Sequence, residues 1–357
     1  MSKNSIDPNE KIIEELDINP RIAAAAQRNG YTTSWNILIS SCSELQQKTG
    51  LSANDVDQLM CAVASYIVKP PLLPLNFPCS IGDTSEVSYV SSGCNAIDNI
   101  LKGGIPFRGI TEITGQSGSG KTQVGLQLAL RAQLPKHLGG FDKCVAYICT
   151  ESQFPAARLQ QMVVAFHRKK LIPKKPFTDN LLIHHIPDMD SLADCVQYQL
   201  PVLVKKRDVG LLIIDSIAAV FRVEEAGEDS RYKTLQTLGY RLHKLAMTYN
   251  VAVLAINQVT SALSAHNFFG IEGDIVPALG LSWANLVTTR LMISKTNKCF
   301  RVNKRLNGNL DTREYRIRKI QVISCPWLSK ASCNYLVTED GVEDLQLNNG
   351  DIVFAHQ

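Results

Sequence analysis

The chain has 357 residues, 45% of them hydrophobic and 20% charged, with a formal net charge of +4. Such a composition predicts a globular protein with a large core, organised as two domains or as one large domain with an appendage. The balanced charge excludes a uniformly basic nucleic-acid-coating protein, so any nucleic-acid surface has to be a local patch.

Ten cysteines are scattered through the sequence without a CxxC pair or a Cys/His cluster at zinc spacing, which predicts reduced thiols that mostly fill the core. The opening MSKNSIDPNEKIIEELD has no apolar run behind a basic one, and no stretch of 18 uncharged apolar residues follows. A soluble intracellular protein with no membrane contact is expected.

Residues 10–68 carry apolar side chains at helical spacing, among them Ile12, Ile13 and Leu16, then Leu38 and Leu45, then Val56, Leu59, Val63 and Ile67. Asn29-Gly30 and Gly50 punctuate them, and Ser52 followed by Asp55 has the pattern of a capped helix start. Residues 1–68 are therefore expected to form a small all-helical domain. The proline-rich KPPLLPLNFP cannot lie inside a helix or a central strand and marks 69–86 as a linker. From 87 to 357, short β-branched runs alternate with helical patterns: ITEIT and a helix from Lys121, VAYICT and a helix from about Phe154, then LLIIDS, VAVLAINQV and a basic stretch ending in RIRKIQVIS. That alternation predicts an α/β fold, a mostly parallel sheet with helices on both faces.

Between ITEIT and its helix lies Gly115-Gln116-Ser117-Gly118-Ser119-Gly120-Lys121-Thr122. Its glycines permit backbone angles that turn successive amides toward an anion, Lys121 supplies a charge for phosphate, and Thr122 offers a hydroxyl to Mg²⁺. A Mg²⁺-dependent nucleotide site also needs an acid at the end of a buried strand. Asp215 ends LLIID, either as that acid or as a plain strand-to-loop boundary. Glu151 emerges after VAYICT as a candidate base, or as a solvated acid at a helix start. Gln258 follows VAVLAIN and could sense a terminal phosphate, or be an ordinary loop glutamine.

GCNAIDNILKGGIPFRGITEITGQSGSGKTQ, YICTESQFPAARL, LLIIDSIAAVFR, INQVT and PALGLSWANLVTTRL, in that order, resemble the ATPase core of the eukaryotic and archaeal RecA-type recombinases across nearly all of residues 85–357. The stretch with ELQQKTGLSANDVDQL resembles the small helical domain that precedes that core. The resemblance implies a RecA-like P-loop ATPase fold binding ATP and Mg²⁺, with Lys121, Glu151 and Gln258 as catalytic groups and Asp215 and Thr122 at the metal. It also implies that Gln123 takes part in nucleotide binding and that Arg158 lies against the adenine base. DNA would be bound through two loops, roughly 223–234 and 259–278.

The sequence departs from strand-exchange recombinases in several places. The first loop holds Glu224, Glu225, Glu228 and Asp229, which repel DNA phosphates. Ser324-Cys325-Pro326 has no carboxylate where those proteins cap a neighbour's ATP. Phe77-Pro78-Cys79-Ser80 keeps the aromatic but not the alanine of their linker strand. The wording of the core is most similar to the recombinase paralogues, nuclear helpers in homologous recombination that work with other paralogues, the strand-exchange recombinase and single-stranded or branched DNA. Two alternatives stay open: a recombinase forming its own filament, and a pseudo-ATPase scaffold.

Candidate DNA contacts are Arg222, Arg231 and Lys233 around the first loop, and Lys304 and Arg305 in KTNKCFRVNKRLNGNLDTREYRIRK, residues 295–319. That stretch holds Phe300 and Tyr315 among its cations and a hairpin-turn signal at Asn307-Gly308; a nucleic-acid ribbon and a solvated hairpin both fit it. HRKKLIPKKP, residues 167–176, fits a surface loop, an import signal or a basic patch. Met247, Tyr249 and Trp283 are expected to be packing residues, and His184 and His185 to be structural.

Overall fold

Alternating small and apolar side chains at helical spacing give four short helices before residue 68: α1 (Pro20–Arg28), α2 (Ser34–Leu38), α3 (Cys42–Thr49) and α4 (Ala53–Ile67). The computed structural model describes residues 18–67, 89–221, 228–261, 275–306, 309–345 and 350–354, and divides into two units, Met1–Thr84 and Ser85–Gln357. Outside the described residues lie the proline-rich linker with Phe77, the first-loop residues Arg222, Glu224 and Glu225, residues 262–274 of the second loop, and Asn307-Gly308.

In the first unit, Ile22, Ile37, Leu45, Val56, Leu59 and Val63 are buried against one another. The start of α4 is held by a reciprocal cap. The Asp55 amide donates to Ser52 Oγ at 3.2 Å, and Ser52 Oγ donates back to Asp55 Oδ2 at 2.8 Å. α3 stops at Gly50, whose φ of 67° suits a residue without Cβ.

The second unit opens with β1 (Tyr89–Val90), α5 (Asn95–Ile100) and β2 (Ile105–Pro106), then alternates strands and helices. β3 (Ile110–Gly115) leads to α6 (Lys121–Ala132), β4 (Cys144–Cys149) to α7 (Ala156–Arg168), and β5 (Leu181–His185) to α8 (Met189–Asp194) and α9 (Leu200–Arg207). There follow β6 (Val209–Asp215), α10 (Glu228–Tyr249), β7 (Ala252–Ile256), the short pair β8 (Val259–Ser261) and β9 (Ile275–Pro277), and α11 (Gly280–Ala284). The chain ends in antiparallel strands: β10 (Thr289–Leu306), β11 (Asn309–Ser324), β12 (Ser332–Thr338), β13 (Gly341–Asp344) and β14 (Gly350–Phe354).

Among the described residues, ten strands form one sheet in the order β13-β12-β11-β10-β3-β7-β6-β4-β5, with β14 paired to β10 off that path. From β10 to β5 every neighbouring pair is parallel. Both faces of this part are covered, which explains the unbroken apolar runs. Val145, Tyr147 and Cys149 of β4 pack on one face with α6 and α7, while Ala146 and Ile148 pack on the other with α8, α9 and α10.

One acid sits in the middle of this sheet. Glu112 on β3 is fully buried, and its carboxylate forms an ion pair with Nε of Arg290 on β10. It also accepts hydrogen bonds from Asn257 Nδ2 at 2.6 Å and from the Trp283 indole at 2.9 Å. Trp283 is therefore a packing residue with a polar tip. Met247, by contrast, is 77% exposed on α10 and packs in no core, because the helical period turns it away from Leu245 and Ala246.

α10 begins at Glu228, so the last part of the expected first loop is helix. Removing Glu112 would take its carboxylate away from the buried Arg290 guanidinium. Glu112→Ala is expected to lower unfolding free energy by about 3–5 kcal/mol, read from denaturant titration, with Glu112→Gln intermediate.

Candidate nucleotide-binding site

The parallel strands end at one rim of the sheet, and the loop between β3 and α6 is shaped there by three glycines with different tasks. Gly118 and Gly120 have φ values of 69° and 106°, open to a residue without Cβ. Gly115 has ordinary angles; a Cβ there would meet the Ile293 carbonyl oxygen at 2.2 Å, so glycine lets β10 pair closely beside the start of the loop. Lys121 folds back over the loop, its Nζ donating to the Gly115 and Gln116 carbonyls at 2.7 and 3.0 Å. Burial lowers its pKa, opposed by the charges of Asp215 and Glu151.

Asp215 ends β6 beside this loop. Its Oδ2 accepts from Thr122 Oγ1 at 2.8 Å and from the Tyr147 hydroxyl at 2.8 Å. Desolvation raises the pKa of Asp215 in spite of these hydrogen bonds and of Lys121 nearby. Tyr147 is itself buried, and burial followed by the Asp215 charge raises its pKa well above the ordinary phenol value.

Glu151 is positioned through the residue before it. The Thr150 amide donates to the Asp215 carbonyl at 3.0 Å, while Thr150 Oγ1 donates to the Ser216 carbonyl at 2.6 Å and accepts from the Ser216 amide at 2.9 Å. These bonds join the ends of β4 and β6. From β7's end, Gln258 Nε2 donates to Glu151 Oε2 at 2.6 Å. Gln258 is fixed in turn: its amide donates to Asn257 Oδ1 at 2.8 Å, and its carbonyl accepts from the Ala278 amide at 2.8 Å.

The structure thus gathers Lys121, Thr122, Glu151, Asp215 and Gln258 at one rim. Ser119 lies buried in the loop, and Gln116 and Ser117 stand exposed on it. Gln123, in the first turn of α6, accepts from Arg158 Nε at 2.7 Å. Arg158 also donates to the carbonyls of Thr338 at 2.6 Å and Glu339 at 2.9 Å, which binds α7 to the turn between β12 and β13. A cavity of about 340 Å³ is lined by Gly118, Gly120, Lys121, Thr122, Gln123, Arg318 and Val337. Tyr147, Thr150, Lys295 and Arg318 were not singled out from the sequence. For Tyr147 the available signal was its place on a strand ending at the same rim, and for the two cations it was their density in 295–319.

The candidate DNA contacts are spread over different elements. Arg231 and Lys233 lie in the first turns of α10, whereas Lys304 and Arg305 stand on the outer part of the β10–β11 hairpin, opposite Asp311 and Leu310. The aromatic side chains of that hairpin are not free for bases. Phe300 is buried and Tyr315 partly buried, packed with Ile317 and Leu336, because strand alternation puts them on the inner face. Arg301 pairs with Glu314 and Arg313 with Glu339. His184 and His185 are exposed at the end of β5.

The sheet order, the loop joining β3 to α6 and the acid ending β6 define a RecA-like P-loop protein. A model of the Rad51 family matches residues 83–345, and the chain belongs to that family. The mouse DNA repair protein XRCC3 is 34% identical to it over 93% of this chain and 98% of that protein. The Schizosaccharomyces pombe DNA repair protein rhp57 is 31% identical over 80% of this chain and 88% of that protein. The Arabidopsis thaliana DNA repair protein XRCC3 homolog is 30% identical over 71% and 92%, respectively.

A carboxyl whose pKa is raised on folding favours the folded state in its protonated form, so Asp215 contributes stability at low pH that is lost as pH rises through its folded pKa. Asp215→Asn removes that cost. Without nucleotide, the variant is expected to melt higher than the parent at neutral pH. The gain should vanish below the ordinary carboxyl range, where the parent is protonated too, as read by calorimetric melting across pH.

Proposed function

We propose that this chain is an ATP-binding recombinase paralogue that acts in homologous-recombination repair of DNA breaks together with other Rad51-family chains. The observation that carries the nucleotide reading is the hydrogen bond from Thr122 Oγ1 to Asp215 Oδ2 beside the phosphate loop. A hydroxyl and a carboxylate in contact, both hard oxygen donors, are the set that suits Mg²⁺ beside phosphates. The ion, when bound, would neutralise charge on the β and γ phosphates.

The chain's own residues supply the rest. The loop amides and the α6 N-terminus cradle the phosphates, and Lys121 gives up the Gly115 and Gln116 carbonyls to meet them. Glu151 orients a water at the γ end. Gln258 reports the terminal phosphate because an incoming oxygen competes with Glu151 for its amide. At the other end, Gln123 and Arg158 border the nucleoside.

Assembly with another family chain fits the far edge of the sheet. β5 pairs on one side with β4 and, among the described residues, with no strand on the other. Beside it lies a groove of about 650 Å³, where Ile183 is 48%, Tyr198 61% and Val202 51% exposed. An extended segment with an apolar anchor can add there as a strand, its backbone meeting β5 and its anchor filling the groove. The surroundings of such work are DNA and the nucleus, and no helix among the described residues is long and apolar enough to cross a membrane.

Two substitutions separate the two halves of this reading. Lys121→Ala is expected to weaken MgATP binding at least about tenfold by calorimetry, roughly 1.4 kcal/mol, with folding intact. Ile183→Lys should leave MgATP affinity unchanged while removing the Rad51-family chains that co-purify with the tagged protein. Absence of MgATP binding by the parent chain would overturn the nucleotide reading, and unchanged co-purification would overturn the edge.

A further inference from the structure

We propose that Arg318, supported by Lys295, is a nucleotide-binding residue of this chain, forming a cationic wall on the phosphate loop that contacts the part of the polyphosphate nearest the nucleoside. The inference rests on the nucleotide reading above and assigns it two further residues, both supplied by the C-terminal hairpin.

The two side chains are brought to the loop by strand pairing. β10 runs parallel to β3 with Ile293 beside Gly115, so Lys295 stands two residues further on, level with the start of the loop. β11 returns antiparallel and places Arg318 directly opposite Lys295. The Lys295 ammonium lies 3.0 Å from where a Cβ of Gly118 would be, and Arg318 Nη1 lies 3.0 Å from where a Cβ of Gly120 would be. Glycine at both positions therefore admits the cations as well as the phosphates. Arg318 Nη1 also donates to the Ser119 carbonyl at 3.1 Å.

Three features point to an anion between these groups. Like charges directly opposite on neighbouring strands destabilise a sheet, and neither Lys295 nor Arg318 forms an ion pair with a carboxylate among the described residues. A third cation, Lys121, stands close enough to repel Lys295. Finally, Nε of Arg318 is buried without a hydrogen-bond partner, and the side chain lines the cavity shared with Gly120, Thr122, Gln123 and Val337. Phosphate oxygens would satisfy that fork and relieve the repulsion together. Glu151 and Gln258 mark the γ end of the site from β4 and β7, whereas Gln123 and Val337 lie toward the nucleoside. Arg318 therefore meets the α or β phosphate, and MgADP and MgATP should depend on it alike.

The test measures MgATP and MgADP affinity by calorimetry for the parent chain, Arg318→Gln and Arg318→Lys at several salt concentrations. Arg318→Gln is expected to lose about tenfold in affinity for both nucleotides, in keeping with one charge-assisted contact, and to show a shallower salt dependence. Arg318→Lys should recover part of the affinity and the steeper salt dependence. Equal affinity in parent and Gln variant overturns the assignment while leaving the nucleotide reading in place. So does a loss with unchanged salt dependence that Lys fails to relieve, because a strut on the Ser119 carbonyl would behave that way. If the parent binds neither nucleotide, the underlying reading and this assignment fall together. Should the Gln variant not fold, Lys295→Gln, at an exposed side chain, carries the test: a several-fold loss with a shallower salt dependence supports the wall, and no change overturns it.

Discussion

The arrangement of this protein depends on a carboxylate placed where charge is most costly. Glu112 lies inside the sheet with no solvent contact, and its stability there requires that the Arg290 guanidinium, the Asn257 amide and the Trp283 indole all converge on it. Each of those partners belongs to a different piece of the chain. Together they fix the spacing of β3, the end of β7, α11 and β10. The phosphate loop starts three residues after Glu112, Gln258 follows Asn257, and Lys295 is five residues beyond Arg290. One buried ion pair therefore sets the relative positions of three of the groups that surround the candidate nucleotide site. Asn257 extends the same register to the second loop, donating to the Ala278 carbonyl at 2.9 Å while the Ala278 amide meets the Gln258 carbonyl.

Around the rim, charge is arranged in opposition. Asp215 and Glu151 stand at the ends of β6 and β4, and Lys121, Lys295 and Arg318 surround the loop from α6, β10 and β11. Burial raises the pKa of Asp215 and lowers those of Lys121 and Arg318, so each group is penalised for its charge. A multiply charged anion carrying its own divalent cation, as the proposed nucleotide reading requires, would offset both penalties at once. The Tyr147 hydroxyl and the Thr150 bridges keep the acids from relaxing away from that geometry. Rigid positioning of this kind matters more than the number of charged groups, because reorganisation on binding is then small.

Much of this was legible in the sequence, because it is encoded locally. The glycine spacing of residues 115–122, the apolar run closed by Asp215 and the cap of α4 by Ser52 and Asp55 each depend on neighbours within a few positions. The alternation of strands and helices was likewise readable as a covered, mostly parallel sheet. What escaped depends on distant pairing. Arg318 reaches Ser119 across 199 positions, and the Arg158 contact with Thr338 spans 180. No local pattern distinguishes those arginines from solvated ones. Phe300 and Tyr315 sit among cations, a pattern that fits a nucleic-acid ribbon and a solvated hairpin alike, and the pleat turns them inward. Met247 had an apolar identity but a helical phase that faces water. Helix α10 begins inside the stretch expected to be the first loop, because a loop boundary taken from a resemblance carries no local stop signal.

The side of β5 that pairs with no strand among the described residues has a consequence for stoichiometry. A strand edge presents one row of backbone donors and acceptors, and a single extended segment saturates it. Such an acceptor is monovalent: once filled it cannot recruit a second guest, however high the concentration. In the proposed assembly, strand addition at β5 would end after one step at this chain unless the guest brought an unfilled edge of its own, which would make the arriving subunit the one that sets the length of the assembly.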